Sequence, residues 1–160
     1  MDTLYFDLLR IGYHLGLAVL IGGGLIIGAA AAPGVFASIR SRGEAANVFG
    51  AIIVRYDGMA LLALVAVVLT TILKIGAFEE DLRDWRLWAR LGALALMSVA
   101  LLYGVAWAGP VARTIRRETP GFDDLPEGDV RRREFRALHQ RARRALTMVV
   151  LFGLVALFFS

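Results

Sequence analysis

The sequence predicts an all-α integral membrane protein, a four-helix bundle whose last helix extends into the cytoplasm. Three observations predict it. Of 160 residues, 58% are hydrophobic, against about 45–50% in a soluble domain. The excess is gathered into four blocks, each near the roughly 20 residues that carry a helix across a bilayer core. The basic residues cluster on alternate connections between those blocks, as they do in a multi-pass protein. There is no cysteine, which excludes a disulfide scaffold and a thiolate zinc site. Four spans leave no room for a large soluble domain, so residues 1–160 form a single membrane domain.

The first span covers residues 11–33. The segment before it holds Asp2, Asp7 and Arg10, without the basic region of a cleavable signal, so this span is expected to be retained. It is rich in glycine. Gly12 with Gly16, and Gly24 with Gly28, are small-xxx-small pairs that let helices approach closely, within the bundle or between copies. Pro33, followed by Gly34, marks a kink or the end of the span. Residues 40–54 read as a short amphipathic connector to the second span, 56–78. An acidic turn of Glu79, Glu80, Asp81 and Asp84 follows, with Trp85 and Trp88 at the interface.

The third span covers 87–110 and closes at Pro110, which, like Pro33, is expected to kink its helix. The longest polar stretch then forms a cytoplasmic loop over 111–137, with loop residues Pro120, Gly121, Pro126 and Gly128 at its centre. Asp129 is a helix cap, and one unbroken helix is expected from Val130 to the end. Its fourth span, 138–159, draws in arginines that snorkel to the headgroups. Phe135, Leu138, Ala142, Leu146 and Val149 recur at three- and four-residue steps, so the extension should pack on the bundle.

Thirteen of the 18 basic residues fall in 40–57 and 113–144. The positive-inside rule puts that side in the cytoplasm and both termini outside it, with the bacterial inner membrane as the expected location. Arg131, Arg132, Arg133, Arg136, Arg141, Arg143 and Arg144 surround the last helix, and anionic lipid headgroups are sufficient partners for them. No base-reading or stacking groups accompany them, so nucleic acid is not expected.

Few residues carry chemistry. His14, one turn inside the first span, is a candidate ligand for haem b or copper, or a polar interface residue. His139, near the inner end of span four, is a second polar candidate. The topology separates the two by more than roughly 20 Å, so they cannot ligate one metal together. Tyr56 and Asp57 open span two, and Asp57 is expected to pair with the arginine-rich final helix. Lys74 and Arg90 are expected to snorkel outward to the acidic turn.

Four stretches resemble a known family. His14 precedes a span ending Ala32-Pro33-Gly34-Val35-Phe36, then Ile39-Arg40; Tyr56 opens span two; Trp107-Ala108-Gly109-Pro110 closes span three; Phe135-Arg136-Ala137-Leu138-His139 leads into span four. This order resembles the four-span family of unknown function that includes an animal transmembrane protein linked to cisplatin resistance. The family is distantly similar to copper-resistance membrane proteins and to the haem-containing membrane protoporphyrinogen oxidase. Where the family tends to carry glycine after the last histidine, Gln140 stands here. The expected function is a non-enzymatic accessory, oligomeric, or metal- or solute-stress factor, with no cofactor. The alternatives are a haem or copper redox protein using His14, and a small-solute transporter.

Overall fold

The computed structural model describes residues 2–78 and 83–160. The acidic residues Glu79, Glu80 and Asp81 lie outside the described residues. All regular structure among the described residues is helical. Helix α1, Asp2–Ile26, passes through a π turn, Ile27–Ala31, into α2, Ala32–Ser38. Helix α3 is Arg42–Phe78. Helix α4, Trp85–Leu102, passes through a second π turn, Tyr103–Ala108, into α5, Gly109–Glu118. A short 3₁₀ turn, Phe122–Asp124, precedes α6, Val130–Phe158.

The prolines do not end the helices they interrupt. A proline ring inside an α-helix strikes the carbonyl four residues back, and it donates no hydrogen bond. Both helices answer with a wider turn. Ala32 N–H bonds to the Ile27 carbonyl, and Gly109 N–H to the Gly104 carbonyl, the longer reach of a π turn. The chain continues helically to Ser38 and to Glu118. Each proline therefore interrupts its helix without ending it.

The connector expected over 40–54 is helical from Arg42 onward. Only Ile39–Ser41 separates α2 from α3, with Ile39 extended at φ −106° and ψ 121°. Ser41 Oγ accepts the Glu44 N–H at 3.3 Å, and the pair has the spacing of a capping box. Helix growth from this cap absorbs the connector. The connection over 111–137 is helical at both ends, and its irregular part lies between Glu118 and Val130, where Pro120, Gly121, Pro126 and Gly128 stand. Gly121 turns that segment at φ 64°, a left-handed conformation that glycine adopts without penalty. Asp129 accepts the Arg131 N–H at 2.8 Å and caps α6.

Helix α1 packs against α3 on one side and α6 on the other, and α6 packs in turn on α4 and α5. Tyr13, Leu17, Leu20, Val67, Met97 and Val149 are the fully buried large side chains. Close approach comes from small residues. A Cβ on Gly16 would stand 2.6 Å from Val67 Cγ2 and 3.0 Å from the Ala63 carbonyl oxygen, and one on Gly153 would stand 2.8 Å from Ile21.

The pair α1–α3 and the pair α4–α6 bury the same positions. Tyr13, Gly16, Leu17, Leu20 and Gly24 are buried before Pro33, and Arg90, Ala93, Leu94, Met97 and Leu101 occupy the corresponding places before Pro110. On the return helices, Tyr56, Ala60, Leu64 and Val67 correspond in the same way to Ala145, Val149, Gly153 and Ala156, all buried. Each pair thus consists of a helix interrupted by a π turn before a proline and an uninterrupted partner.

The outward faces are apolar too. Leu15, Leu62, Val65, Val99 and Leu151, all mid-helix, are at least half exposed. A water-soluble protein rarely presents so continuous an apolar surface. Three helical stretches, Thr3–Ser38, Arg42–Ala77 and Trp85–Glu118, are long and apolar enough to cross a membrane. Helix α6 is the exception, because Arg141, Arg143 and Arg144 lie in its last eighteen residues.

Candidate functional site

Polar side chains collect at the two ends of the molecule. At one end α1, α3, α4 and the C-terminus meet. His14 Nδ1 donates to the Arg10 carbonyl at 2.7 Å, and its Nε2 lies 3.3 Å from Ser160 Oγ. Both ring nitrogens therefore have protein partners. Beside it Tyr13 OH donates to the Ala156 carbonyl at 3.2 Å, tying α1 to α6. Trp85 packs edge-on against Phe159.

Lys74 is buried at 8% exposure, with its ammonium 5.6 Å from the Phe6 ring centre and 5.5 Å from that of Tyr13. Aromatic faces attract such a cation. Arg90 is buried at 6%. Both cations are thus held against the protein. The acidic residues expected to meet them lie outside the described residues. Sequence reasoning missed the Lys74 cage, because Phe6 precedes the expected first span and pairs with nothing by spacing.

At the other end the α1–α3 pair meets α5. Tyr56 OH donates to the Leu20 carbonyl at 3.1 Å. Asp57 accepts from Arg113 at 3.3 Å. The expected partner on the final helix is corrected, since α5 stands between Asp57 and the arginines of α6. Arg116 binds Asp123 at 2.8 Å and lies 5.7 Å from the Phe122 ring centre. Phe122 meets Phe135 edge-on, and Phe135 stacks on His139 with planes 8° apart. This aromatic run holds the first turns of α6 against the 3₁₀ turn.

The seven arginines of α6 divide by what they touch. Arg132 donates to the Leu125 carbonyl and Arg136 to the Glu127 carbonyl at 2.6 Å, so these two fasten the loop before α6. The side chains of Arg131, Arg133, Arg141, Arg143 and Arg144 are exposed. His139 precedes Ser160, the neighbour of His14, by some twenty residues on one helix, or roughly 30 Å. One metal cannot reach both histidines. Among the described residues no three His, Cys, Asp or Glu side chains come together.

The glycines expected to mediate packing face different surroundings. Gly12 lies against Thr70, Gly16 against Ala63 and Val67, and Gly24 against Val150 and Leu146, while a Cβ on Gly28 would meet nothing. The first three are thus engaged within the chain.

A family model described as a domain of unknown function, DUF4149, matches residues 15–120, from within α1 to just beyond α5. No curated protein and no solved structure matches the chain.

Proposed function

The chain belongs to the DUF4149 family, whose function is unknown, and on that premise we propose that it works as a non-enzymatic four-helix membrane bundle. In this reading α6 is the fourth crossing, its first turns and α5 lie in the cytoplasm, and both termini lie on the opposite side of a bacterial inner membrane. The protein acts as an accessory or as a metal- or solute-stress factor, assembled with itself or with another membrane protein. The resemblance to the family with a cisplatin-resistance-linked member suggests the stress context.

One observation carries the reading: the interior hydroxyls are spent on helix carbonyls, between helices or within one. The hydroxyls of Tyr13 and Tyr56 donate to carbonyls of neighbouring helices, and those of Thr71 and Ser98 to their own helix. The surface, by contrast, offers apolar side chains to lipid or to partner helices. Native mass measurement of the protein in nanodiscs tests this, with complexes of two or more chains expected. Monomers alone, at every concentration and with no co-purifying partner, would overturn it. An absorption band of haem, or stoichiometric copper, that disappears in His14→Ala would replace it with a redox role.

A further inference from the structure

The first helix pair is closed where the second is open. Tyr56 lays its ring on Gly23 and so fills the space between α1 and α3; a Cβ on Gly23 would collide with it. At the corresponding places of the second pair stand Ala145 and Ala100, and neither side chain can fill the gap. The structure has a groove of about 350 Å³ there, floored by these two alanines. Leu96, Met148 and Phe152 form its apolar walls, and it opens sideways, away from the core. Arg141 and Arg144 stand at one end, together with Tyr103.

We propose that this groove binds one anionic phospholipid, with an acyl chain on the alanine floor and the phosphate on Arg141 and Arg144. The inference rests on the membrane reading above. Charge complementarity selects the occupant. Guanidinium groups bind phosphate through paired hydrogen bonds, and they sit at the cytoplasmic end, where anionic headgroups lie. A tyrosine at the same level suits the headgroup boundary. Its lining of alanine, leucine, methionine and phenylalanine side chains suits a chain of methylenes.

The test uses the full chain extracted from membranes, mixed in mild detergent with phosphatidylglycerol or phosphatidylcholine, and weighed by native mass spectrometry. One retained phosphatidylglycerol is expected, at about tenfold lower lipid concentration than phosphatidylcholine requires. The double variant Arg141→Gln/Arg144→Gln should lose that preference. Arg131→Gln/Arg133→Gln removes the same charge from the same helix and should keep it. Met148→Trp, at an exposed wall position, should reduce retention while helicity is unchanged. Equal retention of both lipids, or equal loss in both arginine doubles, would overturn the site. A dimer that dissociates in Met148→Trp would assign the groove to a second copy and overturn it as well. If the chain were recovered in the aqueous fraction without detergent, the membrane reading itself would fall.

Discussion

The α1–α3 and α4–α6 pairs share a plan and differ in what fills it. In both, one helix passes through a π turn just before a proline, and both bury the same register. The first uses glycine and aromatic side chains: Gly16 lets α3 close in, and Tyr56 covers Gly23. The second uses alanine, methionine and arginine, and stays partly open at Ala100 and Ala145. Apart from the shared proline, the backbone plan therefore does not depend on any one residue type. Local closure does, and it is decided by a few small-residue contacts.

Substitutions at corresponding positions should break this comparison unequally. The largest effect is expected at Gly16. Gly16→Leu forces a side chain against the α3 backbone and should cost about 3 kcal/mol or more. Its counterpart Ala93→Gly should cost only about 1 kcal/mol. Thermal unfolding in detergent, followed by helicity, checks both.

Next comes Tyr56. Tyr56→Ala should cost about 3 kcal/mol and open in the first pair a groove like that of the second. Tyr56→Phe removes only the bond to the Leu20 carbonyl and should cost about 1 kcal/mol. A smaller loss in Tyr56→Ala than in Tyr56→Phe would show that the ring fills nothing.

Gly109→Ala should cost about 1–2 kcal/mol, because its Cβ would stand 2.9 Å from the Gly104 carbonyl oxygen inside the π turn. The first pair carries Ala32 at the corresponding place, so Ala32→Gly should cost less than 1 kcal/mol. Smallest are the caps. Ser41→Ala at α3 and Asp129→Ala at α6 should each cost about 1 kcal/mol, read as earlier fraying by limited proteolysis.

Much of this architecture was legible from residue order. Hydropathy blocks located the helices, and Asp129 marked the start of α6 because a carboxylate before a helical run is a local signal. What failed was non-local or subtle. A π turn leaves no mark beyond its proline, which reads equally as a stop. The connector over 40–54 looked polar enough to be separate, yet the Ser41–Glu44 cap starts α3 at once. Asp57 was assigned to the most basic helix, but spatial order puts Arg113 of α5 nearer. The likeness of the two pairs is hidden because it resides in register: Tyr13 and Arg90 share a place and no chemistry. Of the candidate site, His14, Tyr56 and Asp57 could be named from sequence, but not their partners, since those come from other helices.

The proposal of four crossings with both termini on one side is tested most directly by cysteine labelling, for which this cysteine-free chain is suited. Ser160→Cys and Arg117→Cys would be made singly and exposed to a membrane-impermeant maleimide on intact cells with a permeable outer envelope. The account predicts that Ser160→Cys is labelled at once and Arg117→Cys only after the inner membrane is opened. Labelling of both positions from the same side would contradict it.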